Sequence, residues 1–223
     1  MKRTIMRLIK VLSFVIPACI LLASCKKELD RKPFKLTSET FYRISPKTPE
    51  TISINGANYV GFAFFPGGGE GTASYLGDIK IYFNQQVYGE SSEAPPLGSV
   101  AAPIKDVLNY PILGGPLPLI QTGDFAELAV FHSTLPLPSI ISGMIVNTVI
   151  YNRQGDALFL SAITGAGATF PISQTVVGFN GRAWIVEGRG KFKNSSGEVD
   201  YHGSFSLVNP DDATFDMDGW ISY

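Results

Sequence analysis

The chain has 223 residues, 45% of them hydrophobic and 17% charged, with 18 Lys and Arg against 19 Asp and Glu. That composition supports a packed core in one large or two small domains and excludes a disordered polyelectrolyte. A formal net charge of −1 shows no excess of basic residues to pair with phosphate, which argues against nucleic acid as a partner, the more so once the basic N-terminus is set aside.

The first ten residues carry Lys2, Arg3, Arg7 and Lys10 and no acid, and Val11–Leu22 is uncharged and apolar. This apolar run is shorter than the roughly 20 residues a helix needs to cross a bilayer, so it reads as a processed export signal. Leu22-Ala23-Ser24-Cys25 closes it and resembles a bacterial lipoprotein lipobox. The resemblance implies removal of residues 1–24, lipid attachment at Cys25 and a cell-envelope location. Lys26, with no Asp after the cysteine, implies the outer membrane. The other cysteine, Cys19, lies in the discarded part, so the mature chain is expected to hold no disulfide. Losing four basic residues and no acid makes the remainder distinctly acidic.

Residues 25–50, the cysteine and the charged, Pro-bearing stretch Lys26–Glu50, read as a flexible tether. From Thr51 to Tyr223 the charge thins, and short alternating or wholly apolar runs are bounded by Gly, Asn, Asp or Pro. That pattern predicts one all-β domain, a closed antiparallel barrel of about eight strands. The expected strands are Tyr59–Phe65, Asp78–Tyr88, Ala126–His132, Met144–Tyr151 and Ala157–Ile163, then Thr175–Phe179, Ala183–Glu187, Gly197–Val208 and Thr214–Ser222. In the last hairpin Val199, Tyr201, Phe205 and Leu207 share a face, as do Phe215, Met217 and Ile221; Asn209-Pro210-Asp211-Asp212 makes the turn. Trp184, Trp220 and the phenylalanines are expected to fill the core. Gly89–Asp124 is too rich in proline for a central strand and too apolar for a linker. It reads as a plug over one end of the barrel, or as a lid or partner surface.

Three stretches, Gly71-Thr72-Ala73-Ser74-Tyr75-Leu76-Gly77, Gly155-Asp156-Ala157-Leu158-Phe159 and Gly188–Gly197 (GRGKFKNSSG), precede the closing hairpin. Together they resemble a group of bacterial small β-barrel proteins related in shape to allene oxide cyclase and dirigent proteins. The resemblance implies the fold; such barrels host unrelated tasks.

No catalytic or cofactor signature stands in Lys26–Tyr223. Gly188, Gly190 and Gly197 lie between strand patterns, whereas a phosphate loop must lead into a helix, so they read as turns. Asp200, His202, Asp216 and Asp218 share one face of a hairpin, a solvated charged face or a weak divalent-cation candidate. Asp216-Met217-Asp218-Gly219 fails the calcium-loop spacing, so no metal is assigned. His132 and His202 have no GxSxG elbow to serve; Ser142 stands between Ile140 and Met144. Glu187 continues the alternation Ala183, Ile185 and would be a general-acid candidate if that face were the barrel interior; on the outer face, or at the strand's wet end beside Arg189, it carries no role, and an unpaired charge favours that reading. Two functional expectations follow. One is a lipid-anchored envelope protein that binds an apolar small molecule or a partner protein without catalysis. The other is a cyclase- or isomerase-like enzyme that shapes a flexible apolar substrate.

Overall fold

A computed structural model describes residues 31–94, 96–111 and 118–223; the lipobox and Cys25 lie outside them. The strands are β1 (Lys32–Tyr42), β2 (Ser45–Ile54), β3 (Ala57–Phe64), β4 (Gly67–Ala73), β5 (Gly77–Phe83), β6 (Gln85–Gly89), β7 (Gly98–Ala101) and β8 (Ile140–Ile141). They continue with β9 (Met144–Ile145), β10 (Thr148–Tyr151), β11 (Ala157–Ala162), β12 (Ala168–Pro171), β13 (Val176–Arg189), β14 (Ser196–Ser206) and β15 (Ala213–Ser222). Among the described residues one α-helix, α1, spans Ala126–Thr134.

The largest sheet runs β11-β10-β5-β4-β1-β15-β14-β13, and β11 pairs with β13 to close it into an eight-stranded antiparallel barrel. β12 pairs only with the first half of β13, because the second half is taken by β11. The barrel therefore has a mouth, where Tyr42, Phe83, Ser206 and Ala213 end or begin their strands, and a base, where Lys32, Gly77, Ala157 and Ser196 do. A second sheet, β2-β3-β6-β7, continues from β5 and forms one wall of the mouth. No described helix is long and apolar enough to cross a membrane.

The expected tether is partly sheet. β1 alternates Phe34, Leu36, Ser38, Thr40 and Tyr42 inward with Lys35, Thr37 and Glu39 outward. Serine and threonine at inward positions mask the apolar period, and Ser38 Oγ donates to the Phe215 carbonyl. β2 accommodates Pro46 and Pro49 because it is an edge strand with a bulge between Pro46 and Glu50. β4 is glycine at four of its seven positions because β1 lies close against it: a Cβ on Gly71 would sit 2.0 Å from the Thr37 carbonyl oxygen.

The three stretches that carry the family resemblance converge on the base. Asp156 Oδ1 accepts the Lys191 N–H at 2.9 Å, and Asn152 Nδ2 donates to the Leu76 carbonyl at 3.3 Å. Asp156 thereby pins the short 3-10 turn Gly190–Phe192, and Gly190, at φ 63, adopts the left-handed backbone that the turn requires. The turn drives Phe192, fully buried, into the barrel end, edge-on to Tyr223 with ring centroids 4.8 Å apart. Above it Ile81, Leu158, Leu160, Ile185, Val199 and Met217 fill the interior.

The plug expected from Gly89–Asp124 is thus Phe192 instead. Among the described residues of that segment, Pro96, Gly98 and Ser99 reach the mouth. Ile104, Val107 and Leu119 turn outward from the barrel axis and, with Phe125, Leu128 and Phe131 around α1, cover the outer wall at Tyr82, Val149, Tyr151 and Phe159. This second core explains an unusually apolar loop. It also corrects the strand expected at Ala126–His132. Those residues are good helix formers (Ala, Glu, Leu), and a helix presents Leu128 and Phe131 to the same buried wall. Closure and both cores lie within Lys32–Tyr223, so a chain beginning at Lys26 retains every contact named above.

Candidate functional site

The strands that fill the base with aliphatic side chains place rings at the mouth. Tyr42, Phe65, Phe83, Phe179, Tyr201, Phe205 and Phe215 surround a cavity of about 90 Å³, with Val87, Pro96, Gly98 and Ala213 completing the apolar lining. The rings brace one another: Phe83 and Phe215 stack at 5.2 Å, Tyr201 and Phe215 at 5.6 Å, and Tyr42 meets Phe205 edge-on at 5.1 Å. Tyr201 lies flat across Gly181, where a Cβ would fall 2.3 Å from the phenol.

Part of the polar lining is bonded to protein groups. Tyr42 Oη donates to the Ser206 carbonyl at 2.8 Å, Ser99 Oγ donates to Gln85 Oε1, and Asn180 Oδ1 accepts the Ala168 N–H. Burial pushes the Tyr201 hydroxyl up to about 12. Below pH ~10 it is neutral in both folded and unfolded chains and contributes nothing to pH dependence. Between ~10 and ~12 the unfolded chain releases the proton first, so stability falls as pH rises. Urea unfolding at about pH 11.5 should therefore show roughly 2 kcal/mol of Tyr201-dependent loss relative to about pH 9, absent from Tyr201→Phe. An identical pH slope in the variant would mean the phenol is not desolvated.

A second concavity runs along the outer flank of β1, β4 and β5 beside α1. It is broad, and two of its cations, Arg43 and Lys80, are already shared. Arg43 bridges Asp124 at 2.7 Å and Asp211 at 2.8 Å, and Lys80 bridges Glu70 and Glu127. Burial opposes the charge on each cation, but the paired carboxylates outweigh it and raise both pKa values.

The residues singled out from sequence do not meet at the cavity. Glu187 follows a bulge: Phe159 faces Glu187 and Leu160 faces Ile185, so Val186 is the extra residue and the alternation breaks. Phe159 and Val186 belong to the outer core while Ile185 belongs to the inner one, which puts Glu187 on the outside. There its Oε1 accepts the N–H groups of Gly188 at 2.9 Å and Asn194 at 2.7 Å, capping the base turn. Asp200, His202, Asp216 and Asp218 do share the outer face, with Asp200 opposite Asp218 and His202 opposite Asp216. Arg182 takes Asp200 and Lys35 takes Asp218. Among the described residues no three His, Cys, Asp or Glu side chains group to hold a metal ion.

His132 Nδ1 accepts the Leu137 N–H at the end of α1, and Ser142, at φ 51 beside Gly143 at φ 81, makes the tight turn between β8 and β9. Gly188, Gly190 and Gly197 are turn and close-approach positions, with no helix for a phosphate to face. The tryptophans are not core residues. Trp184 and Trp220 flank Glu198 in one outward cross-strand row, and Trp184 is 40% exposed.

The sequence signal for the mouth was the inward face of the last hairpin. Alternation marks Tyr201, Phe205 and Phe215 as one-sided, but carries no sign of their position at the open end. No family model matches the chain, and no characterised protein or solved structure does either.

Proposed function

We propose that the protein is a lipid-anchored envelope protein that binds an apolar small molecule at the barrel mouth. The observation that carries the binding reading is the ring-lined cavity, open at one end of an otherwise filled barrel. Among the described lining residues there is no carboxylate, imidazole or thiol, so capture rather than proton chemistry is what the site supports. The envelope reading rests on the lipobox and the charged and apolar segments before it. β1 begins at the base, so an anchor at Cys25 joins the barrel at the end opposite the mouth. The coarse likeness to allene oxide cyclase-like barrels lies in closure and strand number. A cyclase reading would need an acid–base group that Glu187, on the outer wall, does not supply.

The test is native mass spectrometry of the chain starting at Lys26, purified from bacterial cells. An apolar adduct of defined mass is expected, and Ala168→Trp at the exposed edge of the mouth should reduce its occupancy at least about tenfold, the equivalent of roughly 1.4 kcal/mol. A clean unliganded mass for the unmodified chain, with no apolar probe taken up on titration, would remove the reading.

A further inference from the structure

Two hydroxyls in the cavity lining have no hydrogen bond to a described residue, and both belong to buried residues. Tyr201 is 8% exposed and Thr40 is 5% exposed. The side-chain amide N–H groups of Gln85 and Asn180 are also unbonded, but Gln85 is half-buried and Asn180 exposed, so water serves them at the rim. Elsewhere in the described protein, partnerless side-chain polar atoms are sealed in: Asn84 Oδ1, Ser139 Oγ, Tyr151 Oη and Ser195 Oγ. Tyr201 Oη is not one of these. It lacks a partner, yet it borders space that a small molecule can enter.

Strand register sets the depth of this hydroxyl. Phe179, Gly203 and Phe215 form one cross-strand row, and Gly181, Tyr201 and Met217 form the row two residues closer to the base. Met217 already belongs to the filled interior, so Tyr201 marks the floor of the cavity. Glycine leaves the phenol its room: a Cβ on the lining residue Gly167 would come within 3.5 Å of Tyr201 Oη. Burial holds the hydroxyl above its ordinary pKa, so it keeps its proton across the physiological range and needs an acceptor.

The lining decides what kind of acceptor fits. A pure hydrocarbon would strip water from Tyr201 Oη and leave the donor unmet, which costs free energy with no return. A carboxylate would be a buried charge without a counter-ion, because no Lys, Arg or His stands among the described lining residues. A carbonyl oxygen supplies an acceptor, carries no charge and brings no donor of its own. The cavity, at about 90 Å³, is smaller than the void of about 150 Å³ that takes benzene. It therefore admits one end of a larger molecule.

We infer that the ligand is a neutral apolar molecule bearing a carbonyl oxygen, which enters first and accepts the Tyr201 O–H at the cavity floor while hydrocarbon packs against the rings toward the mouth. This rests on the apolar-ligand reading and names the chemical class of the ligand.

Calorimetric titration of the chain from Lys26 would compare heptan-2-one and cyclohexanone with 2-methylhept-1-ene and methylenecyclohexane, their isosteres with CH2 in place of the carbonyl oxygen. Tyr201→Phe should weaken the ketones by about three- to tenfold and leave the isosteres within about twofold. Heptanoate should bind at least about tenfold more weakly than heptan-2-one. The carbonyl stretch of bound heptan-2-one should fall in frequency in the unmodified chain, and Tyr201→Phe should abolish that displacement. A stability readout needs no ligand: at pH 7 the urea midpoint of unliganded Tyr201→Phe should equal or exceed that of the unmodified chain, since the lost hydroxyl has no protein partner. A clear drop would mean that the hydroxyl is bonded within the protein and would overturn the inference. Equal responses of ketones and isosteres to Tyr201→Phe would overturn the carbonyl assignment and leave the apolar-ligand reading standing. Binding of none of these probes would remove both the inference and the reading beneath it.

Discussion

Replacing Phe192 with alanine is expected to lower the unfolding free energy by about 3–5 kcal/mol. The side chain is fully buried in the barrel interior and meets Tyr223 edge-on, so truncation removes both its burial and the stopper of the barrel base. The surroundings cannot collapse into the gap easily. Each neighbouring strand is held by ladders on both sides, and the turn that carries Phe192 is tied to Asp156 through the Lys191 N–H. Against a typical total of about 5–15 kcal/mol, that loss is a large fraction of the fold's stability. The urea midpoint measures it. Asp156→Ala should cost less, about 1–2 kcal/mol, because it frees the turn without removing apolar burial. A loss below about 1 kcal/mol for Phe192→Ala would mean the base is closed by other side chains.

Deleting Pro95–Pro118 is expected to destabilise the whole domain, where the loop reading of the sequence would have the fold survive intact. The deletion removes Ile104 and Val107, both fully buried, and uncovers Tyr82, Val149 and Phe159 on the outer wall. At about 1.5–3 kcal/mol for each buried aliphatic side chain, the direct loss is roughly 3–6 kcal/mol before the newly exposed wall is counted. Asn84 loses partners too, since its amide donates to the Pro103 carbonyl and to Tyr110 Oη. A lower midpoint together with new binding of a hydrophobic dye would report both effects. An unchanged midpoint would show that the segment is a removable surface loop after all.

Much of the barrel was legible in the sequence because its strands have one wet and one dry face. β14 and β15 show this best: Val199, Tyr201, Phe215, Met217 and Ile221 alternate with Asp200, His202, Asp216 and Asp218, and the structure buries the first set and exposes or half-exposes the second. Leu207 departs from the pattern because β14 ends at Ser206, which leaves it exposed beyond the strand. β1 was missed because two of its inward residues are hydroxyl-bearing, and β4 because glycine carries no pattern at all. α1 was read as a strand because a short apolar run has no period that separates the two. Which of its two possible faces Glu187 takes is decided by a local feature. One extra residue at the bulge inverts the alternation, and a bulge leaves no mark in a run of apolar residues.

By itself the sequence determined what depends on neighbours along the chain: the all-β class, the one-sided faces of the closing hairpin and the turn chemistry at Gly188–Gly197. Tertiary structure alone decided what depends on neighbours across space. Closure sets which strand ends form a mouth and which form a base. Phe192 rather than the proline-rich segment fills that base, and that segment builds a second core on the outer wall. The aromatic cavity is assembled from residues as distant in the chain as Tyr42 and Phe215. The physical reason is that burial is a property of the closed surface. Period-two alternation says only that one face of a strand is dry, and it cannot say whether that face lines the barrel or lies beneath a covering layer.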